Sequence, residues 1–311
     1  MSGKEMRTVF AEKLQQFLKE DERVVVLDAD LARANGTLAL REEYPERAIN
    51  VGVAEANMVS VAAGLASYGF IPFCTTFSPF MTRRACDQIA LSVVYAGQNV
   101  KLVGTDPGVT SELNGGTHCG LEDISIMRSL VGMVIFEPVD EVQLEQAMPQ
   151  ILEYEGPVYI RLARKVQPKV FEDDYKFELF KADKLRDGVD VTIFASGIMV
   201  HQSLGAAKIL ESEGICAEVI NIHTIKPLDT KVILESVKKT KCAVIAENHS
   251  TVGGLYSAVA ETVCAEFPVP LKAIGINNAF GKVGLASDLM ADFKLRAIDI
   301  VDACKEIISK K

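Results

Sequence analysis

Nine residues hold the first chemical suggestion in this chain. In Asn50-Val51-Gly52-Val53-Ala54-Glu55-Ala56-Asn57-Met58 an apolar strand ends in small residues and a carboxylate opens a helix. Small residues let another molecule approach the backbone, and a carboxylate in an apolar run is costly to bury unless a partner uses its charge or its proton. Glu55 is therefore a candidate working carboxylate, although the helix dipole favours a first-turn glutamate whatever its function. Asp30 ends the run Val24-Val25-Val26-Leu27-Asp28-Ala29-Asp30, where it either meets a ligand at the edge of a sheet or caps the next turn. His118 follows Gly115-Gly116-Thr117 in a loop too rich in glycine for a plain connector, though a lone loop histidine is more often solvated than catalytic. Phe77 and Phe80, one helical turn apart, read by default as core packing. Arg164 carries a planar donor fork suited to oxyanions, or an ordinary salt bridge in a linker.

The elements that must position these residues alternate strand and helix. Apolar residues at helical spacing over 4–20 feed a continuous apolar strand, and continuous rather than alternating strands indicate a parallel sheet covered on both faces. The pattern continues with strands at 48–52, 71–77, 100–105, 133–137 and 157–162 and helices at 55–68, 79–95, 124–128 and 140–153. A glycine-rich loop spans 106–120. This rhythm predicts a doubly wound α/β sheet in a first domain over 1–166. Apolar periodicity breaks over 167–186, which reads as a linker, and a second, smaller doubly wound domain is expected over 187–311.

Length and composition set the bounds. A chain of 311 residues, 49% hydrophobic, is more comfortable as two domains than as one core. A formal charge of −9 without a dense Lys/Arg stripe argues against nucleic-acid or anionic-membrane partners, while leaving room for a small anionic substrate in a local pocket. No apolar signal core or bilayer-length stretch is present, so a cytoplasmic protein is expected. The seven cysteines lack CxxC spacing and read as reduced structural thiols, and the four histidines lack the spacing of a helical zinc site, so no metal site is expected on this chain.

Taken in order, Leu27-Asp28-Ala29-Asp30-Leu31-Ala32, Val51-Gly52-Val53-Ala54-Glu55-Ala56-Asn57, Thr76-Phe77-Ser78-Pro79-Phe80 and Gly115-Gly116-Thr117-His118 resemble the pyrimidine-binding half of the transketolase family of thiamine-diphosphate enzymes. Ile225-Lys226-Pro227-Leu228-Asp229 and Glu247-Asn248-His249 before Gly253-Gly254 resemble that family's C-terminal domain. The resemblance covers nearly the whole chain. It implies that Glu55 binds the ring nitrogen of the cofactor's aminopyrimidine, a task suited to a dry site because burial favours a protonated carboxyl. It further implies that Phe77 and Phe80 form the aromatic pocket for that ring, with Asp30 and Arg83 completing the cofactor-binding set. His118 would stand over the reacting carbon and bind sugar hydroxyls, and Arg164 would grip a substrate phosphate. Asn114 stands where the family commonly has an aspartate that reads a sugar hydroxyl. Ala34 replaces a common phosphate-contacting serine.

The resemblance also points to something missing. Enzymes of this family hold Mg²⁺ and the diphosphate through a Gly-Asp-Gly motif, since hard oxygen ligands must bridge metal and phosphate, and no Gly-Asp-Gly occurs here. The chain is thus expected to be the C-terminal subunit of a split transketolase. An N-terminal subunit would carry Gly-Asp-Gly and most of the Mg²⁺ site, the two would form a heterotetramer, and the pair would move a two-carbon ketol unit between sugar phosphates. Three alternatives stay open: the β subunit of a 2-oxo-acid dehydrogenase, an enzyme resembling deoxyxylulose-phosphate synthase, and a non-catalytic assembly subunit.

Overall fold

The structure is a computed structural model that describes residues 3–311, so the first two residues of the expected first domain lie outside it. Six strands come first: β1 Val24–Asp28, β2 Ala48–Asn50, β3 Ile71–Phe77, β4 Lys101–Thr105, β5 Val134–Phe136 and β6 Val158–Leu162. Six follow: β7 Asp183–Arg186, β8 Val191–Ala195, β9 Ala217–Asn221, β10 Thr224–Lys226, β11 Ala243–Ser250 and β12 Leu271–Ile276. They form two sheets with helices on their faces, in the orders β10-β5-β6-β4-β3-β1-β2 and β12-β11-β8-β9-β7. All pairings are parallel except β10 with β5 and β7 with β9. The two sheets are the α/β architecture that the continuous apolar strands require: β1, β3, β4 and β6 are buried along their whole length.

Three elements differ from the sequence expectation. The segment 167–186 ends in β7, an antiparallel edge strand of the second sheet, although its residues are only partly apolar. Thr224–Lys226 turns back from the second unit and adds a strand to the first sheet, with Thr224 opposite Phe136. The single helix expected over 79–95 is instead a π-helix Phe80–Arg84, a short helix Cys86–Gln88 and a second π-helix Ile89–Tyr95. Wide i→i+5 turns change which side chains line up along a helix, and they often occur near functional residues.

The two units meet across a buried ion network. Arg161 of β6, fully buried, donates from Nε to Asp123 Oδ2 (2.8 Å), from Nη1 to Glu137 Oε1 (2.5 Å) and from Nη2 to the Asn248 carbonyl (2.8 Å). Tyr159 donates to Asp123 (2.8 Å), and Ser196 of the second unit donates to Glu137 (2.6 Å). An unpaired charge would be prohibitive at this depth, and here the two carboxylates share the Arg161 cation, with the Tyr159 and Ser196 hydroxyls satisfying further oxygens. Among the described residues no helix is long and apolar enough to cross a membrane.

Candidate active site

Five loops leave the first sheet at its carboxyl edge, where open α/β sheets bind ligands. They follow β1, β2, β3, β4 and β6, and they carry respectively Asp30, Glu55, Phe80, His118 and Arg164. Glu55 opens the helix Glu55–Ser67 and is 2% exposed. Its Oε1 accepts from Arg84 Nη1 at 2.7 Å, and its buried Oε2 has no partner. Asn50 ties the approach to Glu55 to the end of β1: its Oδ1 accepts from the backbone N–H of Asp30 (3.0 Å) and Gly52 (2.9 Å), and its Nδ2 donates to Asp30 Oδ1 (3.1 Å). Asp30 is otherwise exposed and sits in the left-handed region at φ 64°, which aspartate tolerates.

Phe77, Phe80 and His118 form one aromatic cluster. Ring centroids lie 5.9 Å apart for the two phenylalanines, 5.6 Å for Phe77 and His118, and 5.0 Å for Phe80 and His118. Beside them opens a cleft of about 520 Å³ lined by Pro79, Phe80, Arg83, Arg84, Thr117 and His118. Arg83 pairs with Glu122 (2.9 Å) and donates to the Thr117 carbonyl (3.3 Å), so it steadies the turn that presents His118. The neighbouring Arg84, which sequence reasoning missed, reaches Glu55 and lies 4.2 Å over the Phe80 ring. A helix of ordinary pitch gave no ground for choosing it over Arg83.

The His118 loop is held by the second unit. Gly108, at φ 58°, packs so closely on Asn248 that a Cβ would overlap that side chain. Asn248 Oδ1 accepts from Val109 N (2.9 Å) and its Nδ2 donates to the Pro107 carbonyl (3.0 Å). Further along, Gly116 lies against the Gly281 carbonyl, again too close for a side chain. Glu247, beside Asn248, accepts from the first N–H groups of the helix Leu255–Glu266 (2.6 and 3.0 Å). Burial pushes its carboxyl up to about 7 despite those bonds. Asn114 is exposed at the end of the 3₁₀ segment Gly108–Asn114.

Arg164 lies 5.0 Å over the Phe77 ring, pairs through Nη2 with Asp106, and donates from Nη1 to the Ala34 carbonyl (3.3 Å). Burial raises the Asp106 carboxyl above its ordinary range while Arg164 pulls it down. Asp106, also missed from sequence, stands one residue past β4. The structure thus gathers Glu55, Phe77, Phe80, His118 and Arg164 along one edge, with Asp30 joined through Asn50.

Residues 2–169 match the transketolase pyrimidine-binding domain, and residues 180–300 match the transketolase C-terminal domain. The chain belongs to the transketolase family. The 6-deoxy-6-sulfo-D-fructose transketolase subunit SqwH of Clostridium sp. (strain MSTE9) is 51% identical over 98% of this chain and 95% of its own length. A putative transketolase C-terminal section from Methanocaldococcus jannaschii is 40% identical over 99% of this chain and 98% of that protein. Among solved structures, a split-gene transketolase described as an inactive β4 tetramer superposes with a TM-score of 0.90 at 40% identity, covering 99% of each chain. Transketolase-family enzymes depend on thiamine diphosphate, and the residues here suit one end of it. The free, buried Glu55 oxygen matches a ring N–H, and the Phe80 ring, packed against Phe77, borders an open cleft. Among the described residues no three His, Cys, Asp or Glu side chains gather as a metal-binding group.

Proposed function

We propose that this chain is the C-terminal subunit of a split transketolase, which with a separate diphosphate-binding chain transfers a two-carbon ketol unit between sugars bearing an anionic tail. The observation that carries the reading is Glu55: a carboxylate 2% exposed, with one oxygen free and the other tied to Arg84, which lies over Phe80 of the Phe77–Phe80–His118 cluster. The diphosphate and Mg²⁺ would be held mainly by the second chain. The solved split-gene relative, described as an inactive tetramer of β chains, is in keeping with a subunit that needs a partner to turn over.

When bound, thiamine diphosphate supplies a carbon nucleophile and an electron sink for breaking and remaking a C–C bond. Glu55 Oε2 would hold a proton at the aminopyrimidine ring nitrogen, while Arg84 fixes the position of the other oxygen. Phe77 and Phe80 would stack with that ring and keep water from the carboxylate. His118 would take up and return a proton at a sugar hydroxyl, Asn114 would bind a second hydroxyl, and Arg164 would face the anionic end. Asp30, through Asn50 and Gly52, would keep the approach to Glu55 in register.

The test is reconstitution with the separately encoded Gly-Asp-Gly chain, thiamine diphosphate and Mg²⁺, measuring ketol transfer from a ketose to an aldose. This chain alone is expected to be inactive, and Glu55→Gln in the pair to lose roughly 10²–10⁴-fold in turnover, the size of a lost acid–base contribution. Near-normal turnover of Glu55→Gln would overturn the assignment.

A further inference from the structure

We propose that Asp106 sets the charge of the sugar tail this site accepts, favouring a singly charged tail such as a sulfonate over a phosphate dianion. This rests on the transketolase reading above and concerns the cation expected to meet that tail. The Arg164 guanidinium is largely committed. One face covers Phe77, Nη2 pairs with Asp106, Nη1 points to the Ala34 carbonyl, and only the buried Nε lacks a partner. A bidentate grip on phosphate needs two parallel donors, and the pair with Asp106 occupies one of them.

Asp106 is not a solvated counterion that can swing aside. It is 2% exposed and its backbone is left-handed at φ 51°, a conformation that Asp and Asn adopt more readily than other side chains. Next to it opens a cavity of about 230 Å³ whose walls include Glu112, Lys165, Gln167, Ile198 and Met290. Lys165 is paired with Glu112, and Arg7, which also donates to the Ala34 carbonyl (3.1 Å), is paired with Glu5 (2.7 Å). Each of these three cations is therefore matched by a carboxylate. A tail with one negative charge can share the exposed part of the guanidinium, whose side chain is 18% exposed and whose Nη1 bond to Ala34 is long at 3.3 Å. A second charge gains little from neutralised pairs, is repelled by Asp106, and costs more to strip of water against apolar walls.

Asp106→Asn keeps the size and the left-handed preference and removes only the charge. In the reconstituted enzyme, kcat/KM would be measured for 6-deoxy-6-sulfo-D-fructose and fructose 6-phosphate between pH 6 and 8. Wild type is expected to favour the sulfonate. Its KM for the phosphate should rise with pH as the second phosphate proton leaves near pH 6, while the sulfonate KM stays flat. Asp106→Asn should shift the ratio towards the phosphate by about 10- to 100-fold, mostly in KM, and flatten the pH dependence. A purely structural pair would lower both substrates together and leave the ratio unchanged; that result, or a wild-type preference for the phosphate at pH 8, overturns the proposal. If no ketose supports transfer, the transketolase reading fails on its own. The charge rule is then read by ligand-observed NMR on the full chain with methanesulfonate and methylphosphonate at pH 8. Wild type binding only the former, with Asp106→Asn gaining the latter, sustains the rule, and equal binding of both by wild type refutes it.

Discussion

Arg161→Met probes the seam on which the His118 loop depends. The substitution keeps an apolar stem of similar reach in β6 but strands two buried carboxylates, Asp123 and Glu137, at 0% and 4% side-chain exposure. Removing one partner of a buried pair costs about 3–5 kcal/mol, and losing a cation shared by two carboxylates belongs at the upper end, about 5 kcal/mol. That is a large share of the ~5–15 kcal/mol typical of a folded chain. It corresponds to a fall in thermal midpoint on the order of 10–15 °C at the few degrees per kcal/mol expected for a chain of this size. The sign with pH follows from Asp123. Burial alone would raise its carboxyl, but Arg161, aided by His249, overrides burial and holds it below its ordinary value. In wild type this stabilisation is present above the unfolded carboxylate value and is lost as pH falls through the lower folded value. Without Arg161, burial outweighs the remaining help from His249 and Tyr159, the folded variant takes up a proton more readily than the unfolded chain, and its deficit should shrink as pH falls from 7 towards 5. Calorimetry of wild type, Arg161→Met and Arg161→Met/Asp123→Asn/Glu137→Gln reads all of this, with the triple variant recovering most of the loss. A midpoint drop under about 3 °C, or one independent of pH, would refute the reasoning.

Two further outcomes are expected. The Arg84–Glu55 pair should show coupling of about 1–2 kcal/mol in a double-mutant cycle of Arg84→Gln and Glu55→Gln, because the arginine is half exposed while the glutamate is buried; additive losses in thermal midpoint would show that the pair carries no energy. His223, fully buried beside Phe136 and Phe177, is pushed down to about 4 by burial. Between pH 6.5 and about 4 the unfolded chain binds the extra proton. Stability due to His223 should therefore fall by roughly 3 kcal/mol across that window relative to His223→Gln. A constant difference between the two proteins over this range would rule out a neutral buried imidazole.

Much of the architecture was legible because buried parallel strands are written as unbroken apolar runs. The Val24-Val25-Val26-Leu27 run of β1 needs no help from long-range contacts to be recognised. The order of short motifs then carried the family. What stayed hidden depends on partners distant in sequence or on a subtle change of pitch. Arg161 did leave a trace, a charge in the apolar run Val158-Tyr159-Ile160-Arg161-Leu162, yet nothing local says that Asp123, Glu137 and Asn248 await it. Periodicity cannot distinguish i→i+4 from i→i+5 bonding over five residues, so Arg84 was passed over for Arg83. Asp106 looked like a loop opener because its partner, Arg164, follows another strand. β10 is three residues long, too short for any pattern to mark.

That short strand constrains where the chain can be divided. Thr224–Lys226 pairs with Phe136 and Ile135, the Glu137 N–H donates to the His223 carbonyl at 2.8 Å, and Lys226 reaches back to the Arg128 carbonyl at 2.8 Å. A break engineered between the two units would leave the first fragment with an open sheet edge, a ready template for aggregation, and the second with a strand that has lost its partner. Neither fragment is a sound module for expression, fusion or recombination with a homologue. Swaps meant to change substrate choice should exchange the chain whole, or exchange loops at the carboxyl edge, and leave the junction at residues 167–186 uncut.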